Sequence, residues 1–430
     1  MEAAAAAPVE SAAAAATAAP AKAAAAAPVF DLKALVRPNV WALQPYRCAR
    51  DDYSTGVLLD ANENPYGPVV TPPAGVPADL ERYPDPLFMD VKARIAAYRN
   101  VDPHNVFLGV GSDECIDLTV RIFCQPGRDK ILICPPTYPM YKVAADANDV
   151  GVVRVPLTPD FALQPEAVIA AVAADPAVKI VFLCSPNNPT GNDMARDAVV
   201  RVLEGCADRI VVVDEAYVDF SPAGSTAPLV RRYPNLIALQ TMSKSFGLAG
   251  IRLGMAFAST EIVDVFNRIK APYSINKLSA AIGTPSGRAA RQPHRRATRR
   301  LTHGRCCPTP CRGCRVAGAE AWSPAGLARM EASVARLREE RAWTMEQLAK
   351  VPGVLKLWPS TANFFLVKIP DAYNVYKEMA DAGVVTRFRG NELHCDGALR
   401  VSVGTHEQNE LLVQTLAAAL AKRVAQPPSA

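Results

Sequence analysis

Between Phe107 and Phe257 short, unbroken apolar runs alternate with longer stretches whose apolar residues recur at helical spacing. The runs are NVFLGV, KILIC, GVVRVP, KIVFLC, RIVVVD, LIALQT and IRLGMAFA, each of five to eight residues. They show almost no polar alternation, as strands buried on both faces require. Seven such runs with helical connections predict an α/β fold, with a mostly parallel seven-stranded sheet between helices. Ligands of such sheets bind beyond the carboxyl ends of the strands, so the chemistry is expected in the loops that start there. Further on, residues 327–349 are rich in Ala, Leu, Glu and Arg at helical spacing, and ANFFLVKI and LRVSVG read as strands. This tail predicts a second, smaller α+β domain over 323–420, after a large domain over 75–283.

Three segments lack such a pattern. The extension at 1–29 is mostly alanine, with no side chains able to build a core, and reads as disordered, as does the tail at 421–430. Residues 284–322 have no apolar period, no lysine, and an excess of Arg, Pro, Gly and Cys. A structureless stretch of that length inside a compact domain is anomalous. Three readings stay open for it: translated intron or frame-shifted sequence, a disordered insertion, or a zinc or RNA element. Cys311 and Cys314 form one C-x2-C pair, but a second properly spaced pair is missing beside Cys306, Cys307 and His303, so no metal site is read from it.

Composition sharpens this picture. Half the residues are hydrophobic and 21% charged, as in a soluble globular chain of two or three domains. No apolar stretch near about 20 residues is free of Pro and charge, which excludes an ordinary transmembrane helix. The net charge of +5 comes from the anomalous segment: nine arginines lie between Arg288 and Arg315, and without them 38 basic side chains face 42 acidic ones. Nucleic acid is therefore not an expected partner of the folded part. Most of the eleven cysteines sit in apolar runs, as Cys134 and Cys184 do, and read as buried thiols of a reducing compartment. The extension lacks the basic start and Leu-like stretch of a secretory signal. The expected compartment is the cytoplasm, or a plastid if the extension serves as a transit peptide.

Three motifs lie at the ends of predicted strands and so share one edge of the sheet: SPNNPTG (185–191), VVVDEAYVDF (211–220) and TMSKSFGLAGIRLG (241–254). Together they hold what a pyridoxal phosphate site needs: a Schiff-base lysine, a carboxylate for the ring nitrogen, donors for the phenolic oxygen and a phosphate cradle. Ser112 and Asp113 open a predicted helix whose free N–H groups suit an anion.

With these motifs, and with LDANENPYGP (59–68), RYPDP (82–86), GVGSDECID (109–117), PPTYPMY (135–141) and LRVSVGTHE (399–407), the chain resembles the fold-type I, class II aminotransferases, and within them the histidinol-phosphate aminotransferases. The resemblance runs from about residue 30 to 420 and implies pyridoxal 5'-phosphate as cofactor. It makes Lys244 the Schiff-base lysine and proton shuttle, and Asp214 the partner of the pyridinium nitrogen. Asn188 and Tyr217 become the donors to the phenolic oxygen, with Asn187 structural, and Tyr138 the ring that stacks on the cofactor. Ser112, Asp113, Ser243 and Arg252 would hold the phosphate, joined by Tyr83 from the other subunit of a homodimer. Arg400 would bind the α-carboxylate of glutamate and Arg387 the substrate phosphate, with Arg389 a nearby rival. The segment at 30–74 would cover the active site through Asn62 and Glu63 and join the small domain. The implied reaction exchanges an amino group between L-glutamate and imidazole acetol phosphate, giving L-histidinol phosphate and 2-oxoglutarate in histidine biosynthesis. Alternatives are an aromatic or broad-range aminotransferase, a threonine-phosphate decarboxylase, and a non-catalytic chain disabled by the insertion.

Overall fold

All seven apolar runs form strands of one sheet. The computed structural model describes residues 29–45, 61–64, 66, 68, 69, 79–282 and 321–424. In chain order the strands are β1 (Val106–Val110), β2 (Lys130–Ile133), β3 (Gly151–Arg154), β4 (Val178–Cys184), β5 (Ile210–Asp214), β6 (Leu236–Thr241) and β7 (Leu253–Phe257). The spatial order is β1-β7-β6-β5-β4-β2-β3, and only β7 runs antiparallel to its neighbours. The sheet divides the interior into two cores, which is why the runs do not alternate. Along β4 and β5, Val181, Leu183, Val211 and Val213 enter one core, while Ile180, Phe182, Ile210 and Val212 enter the other. Cys184 pairs in register with Asp214, and Asp214 with Leu239. The loops after β4, β5 and β6 therefore begin at one level, and they carry the three motifs.

The smaller domain has a four-stranded antiparallel sheet of order β10-β11-β9-β8. Its strands are β8 (Lys356–Leu357), β9 (Phe364–Lys368), β10 (Arg387–Phe388) and β11 (Ala398–Ser402). The predicted runs are β9 and β11, whose Phe365, Val367, Leu399 and Val401 pack with Leu412, Leu416 and Leu420 of the helix His406–Val424. The long helix Pro324–Ala349 leads into this domain and is capped by Ser323, whose Oγ accepts from the Gly326 N–H at 3.1 Å.

Two sequence boundaries shift. Leu35, Val36 and Val40 of the N-terminal segment join the core of the large domain beside Ile262 and Phe266, rather than joining the small domain. The Arg37 N–H donates to the Ile122 carbonyl at 3.0 Å, fixing that docking. The anomalous segment lies outside the described residues except for Ala321 and Trp322, and Trp322 is not part of a structureless stretch. Its ring is buried between Phe246 and Tyr98, with centroids 4.5 and 5.6 Å away, because a large apolar face next to the helix start finds a core to enter. The alanine-rich extension and its targeting role, and the C-x2-C pair, lie outside the described residues, as does the tail from 425 onward. Six described cysteines are buried free thiols, and no helix among the described residues is long and apolar enough to cross a membrane.

Candidate active site

A cavity of about 430 Å³ opens at the carboxyl ends of β4, β5 and β6. Ser112, Asp113, Tyr138, Asn188, Asp214 and Tyr217 line it, together with Ser243, Lys244, Arg252 and the small-domain Arg387, Arg389 and Arg400. Fourteen polar side chains that the sequence scatters over almost 300 residues thus meet, counting the Cys184 thiol and the Thr241 hydroxyl. The volume is that of a small-molecule site, and the charged lining suits an anionic ligand rather than an apolar one.

One end is cationic and backbone-rich. The helix Gly111–Phe123 begins here, and Arg252 lies across its start, donating from Nη1 to Ser243 Oγ at 3.4 Å and from Nη2 to Asp113 Oδ2 at 3.5 Å. Glycines make the approach feasible. Gly111 has φ +73°, and a Cβ there would lie 2.6 Å from Arg252 Nη2; a Cβ on Gly254 would lie 2.3 Å from the Ser112 nitrogen. Helix N–H groups, two hydroxyls and a guanidinium converge as an anion cradle.

The middle holds the acid and the amine. Asp214 ends β5 with 2% exposure, and its carboxylate accepts from Tyr141 Oη at 2.7 Å and the Ala216 N–H at 3.1 Å. Burial pushes its carboxyl up to about 6 despite those donors, with Asp113 and Glu215 adding to the rise. Such a carboxylate favours a cationic partner. Lys244 extends from the loop after β6, with Nζ 5.6 Å from the Tyr217 ring centroid. Burial first, then the Arg400 charge, lower its amine below the usual lysine range, against the pull of Asp113 and Asp214. Tyr138 Oη donates to Asp113 Oδ1 at 3.1 Å, and burial keeps both the Tyr138 and Tyr217 phenols protonated.

The other end is a wall of arginines. Arg387 and Arg400 face each other across β10 and β11, and Arg389 lies two residues on, on the same side of the strand. Arg400 donates from Nη1 to Asn188 Oδ1 at 2.6 Å, while its Nε and that of Arg389 are buried without an acceptor. Burial and mutual proximity make both cations uneasy. The wall therefore calls for an anion.

Asn187 is fully buried and donates from Nδ2 to the Pro136 carbonyl and Thr190 Oγ1, a structural use. Three expected residues are not drawn into the cavity. Asn62 is exposed with φ 55°. Glu63 does not line the cavity: its carboxylate accepts from Arg82 Nη1 and from the Tyr83 N–H, both at 2.6 Å, and so anchors the RYPDP turn. Tyr83 is 50% exposed and stacks on Tyr273 at 4.5 Å. Sequence reasoning missed Tyr141, which is fully buried, stacked on Phe182, and the side-chain donor to Asp214. Its signal was its place three residues after Tyr138 in PPTYPMY, at the start of the helix Met140–Ala147. In Tyr141→Phe the carboxylate loses a donor, so the Asp214 carboxyl is expected to rise further, by about one pH unit; carboxyl-carbon NMR of the apoprotein across pH checks this.

A family model for aminotransferase class I and II matches residues 54–416. The histidinol-phosphate aminotransferase of Saccharomyces cerevisiae is 42% identical over 410 residues, covering 90% of this chain and 97% of its own. Among solved structures, the histidinol-phosphate aminotransferase of Sinorhizobium meliloti in complex with pyridoxal-5'-phosphate superposes with a TM-score of 0.66 at 21% identity, over 84% of this chain and 90% of that one. The L-threonine-O-3-phosphate decarboxylase of Porphyromonas gingivalis gives 0.61 at 19% identity, over 81% and 92%. The shared fold thus does not separate transaminase from decarboxylase, whereas the sequence relationship does.

Proposed function

Because the chain belongs to the histidinol-phosphate aminotransferases, within the class I and II aminotransferase family, we propose that its cavity binds pyridoxal 5'-phosphate and moves an amino group from L-glutamate to imidazole acetol phosphate. The observation that carries this reading is the pairing, in one cavity, of a depressed amine and a buried carboxylate between two cationic ends. The reaction needs both ends, one for the cofactor's phosphate and one for substrates that carry a carboxylate or a phosphate ester.

The glycine-lined cradle of Ser112, Asp113, Ser243 and Arg252 fits the phosphate, since no Cβ intrudes between the helix start and the guanidinium. When bound, the cofactor supplies an electron sink for the charge that develops at the substrate Cα. Asp214 holds the proton on the ring nitrogen, a role that burial favours because the carboxylate gains a cation it otherwise lacks. Lys244 anchors the cofactor and moves the proton at Cα, for which its amine must be free of its own proton, as its surroundings promote. Tyr217, a protonated phenol, and Asn188, whose Oδ1 is taken by Arg400, are donors for the phenolic oxygen. Tyr138, in the wall of the same cavity, would stack on the ring. Tyr83, half exposed and outside its own chain's cavity, would join the phosphate site of a second subunit, which would make the working form a homodimer.

Arg400 binds the α-carboxylate with its planar fork, and Arg387, with Arg389 beside it, takes the phosphate of the ketone. Arg400→Lys keeps the charge but loses the fork. Its kcat/KM for glutamate is expected to fall about 100-fold, mostly through KM, as steady-state kinetics with glutamate varied will read out.

The activity itself is tested on purified protein with pyridoxal phosphate and L-glutamate, following 2-oxoglutarate. Rapid turnover with imidazole acetol phosphate and slow turnover with phenylpyruvate is the expected result. A preference for phenylpyruvate, or carbon dioxide release from phosphothreonine, would replace this reading with the aromatic aminotransferase or the decarboxylase; no turnover of any of them would leave the non-catalytic alternative.

A further inference from the structure

One partly buried carboxylate has no part in the chemistry above. Asp219 lies in the tight turn Val218–Phe220 that follows Tyr217, and its side chain is only 9% exposed. Oδ1 accepts from Arg99 Nη2 at 2.5 Å and from Tyr98 Oη at 3.5 Å, and Oδ2 accepts from Ser245 Oγ at 2.5 Å. Arg99 donates in turn from Nε to Gln240 Oε1 on β6 at 2.7 Å. A single carboxylate thus ties the end of the helix Met89–Arg99, the turn after β5 and the loop after β6. The backbone of the same turn is gripped by Arg338 of the long helix Pro324–Ala349, which donates to the carbonyls of Phe220, Asp219 and Ser221 at 3.0, 3.1 and 3.4 Å.

The position of Ser245 gives this network its meaning, because it directly follows Lys244. Ser243, directly before, accepts from Thr241 Oγ1 at 2.9 Å and from Arg252 at 3.4 Å. The lysine backbone is therefore pinned by a hydroxyl on each side, one tied to the anion cradle and the other to Asp219. A carboxylate acceptor, itself paired with the Arg99 guanidinium, makes the second pin stronger than a bond between neutral groups. We propose that Asp219 is a positioning residue for the reaction: through Ser245 it fixes the backbone of Lys244, and through its own turn it fixes Tyr217, so that amine and phenol keep their places relative to Asp214 and Arg400. The inference rests on the reading of Lys244 as the reactive amine. It makes the long helix part of the same scaffold, since Arg338 holds the turn that holds the lysine loop.

An Arg99–Asp219 pair that only cemented the fold would affect stability and leave the lysine amine as it is. The two cases separate in the titration of Lys244 itself, which faces Asp113 from the helix start, Asp214 from β5, Arg252 beside β7, Arg400 from the small sheet and the Tyr217 ring. Competitive acetylation of the full-length apoprotein across pH, with the Lys244 peptide quantified by mass spectrometry, measures it without cofactor or turnover. In Asp219→Asn and Ser245→Ala the slackened loop lets the amine into water, and its midpoint is expected to rise by about one pH unit. Ser245→Thr keeps the hydroxyl and is expected to keep the wild-type midpoint.

In glutamate turnover the first two variants are expected to lose about 10- to 100-fold in kcat with KM for glutamate within about threefold. Combining them should cost no more than either alone, as for two ends of one interaction. A Lys244 midpoint identical in all variants overturns the proposal, whatever happens to turnover. Should Asp219→Asn fail to fold, Ser245→Ala decides, since it deletes one hydroxyl and leaves the Arg99–Asp219 pair intact. Wild-type protein that does not turn over glutamate refutes the proposed function instead, and the acetylation result still decides the positioning role.

Discussion

Lys244→Ala is expected to reduce transamination by about 10⁴-fold or more while leaving the fold intact. Two effects are lost together, the anchoring of the cofactor and the movement of the proton at Cα, and each on its own accounts for orders of magnitude. Among the cavity's side chains Lys244 is the amine; the other cations there are guanidiniums, which do not give up their protons. The substitution lies in a loop and removes a group whose charged form is already disfavoured by burial, so thermal unfolding should shift little or upward. Turnover within about tenfold of wild type, with normal melting, would remove Lys244 from the reaction.

Asp214→Asn is expected to act in opposite directions on catalysis and on the stability of the apoprotein. Catalysis falls, by about 100- to 1,000-fold, because a neutral amide cannot hold the ring nitrogen's proton against the developing charge. Stability behaves otherwise, because the carboxyl is raised from an ordinary 3.8 to about 6 on folding. Between those values the folded chain binds more protons than the unfolded one, so stability falls as pH rises, and the loss is complete above about 6. The shift corresponds to about 3 kcal/mol. Asn carries no such penalty, so the variant apoprotein should outlast wild type in urea at pH 8 and lose that advantage near pH 4. Pyridoxal phosphate reverses the order, because only the wild type gains a charged partner. Parallel urea curves at both pH values would show that Asp214 is not under this load.

The large sheet was legible in the sequence because burial on both faces leaves its inner strands mostly apolar; all seven runs became strands, although the edge strand β3 is only partly buried and owes its place to pairing with β2. Their loops carried the site, and motif residues on β4, β5 and β6 met as the shared strand ends required. The misses have physical reasons. Strands β8 and β10 have two residues each, too few to show a period. The docking of Leu35 and Val40 on the large domain depends on a tertiary groove that four-residue helices do not announce. Tyr141 looks like any core aromatic until its hydroxyl is found on Asp214. Glu63, in a motif that suggested substrate contact, accepts from Arg82 and the Tyr83 backbone within its own chain, bonds that only the folded chain reveals.

Arg387 and Arg400 stand opposite one another across β10 and β11. Like charges on directly paired strand residues repel, by about 0.2–1 kcal/mol at such positions, and this pair sits at the edge strand, next to a third guanidinium. The ladder that sets the recognition geometry is thus electrostatically preloaded. An oxyanion seated among the three would screen the repulsion and reinforce β10, a two-residue edge strand, so that a bound anion would act as a missing rung of the sheet. Inorganic phosphate or sulfate should accordingly raise the melting temperature saturably, where chloride at equal ionic strength does not, and Arg387→Gln should blunt that response while making the anion-free protein slightly harder to melt.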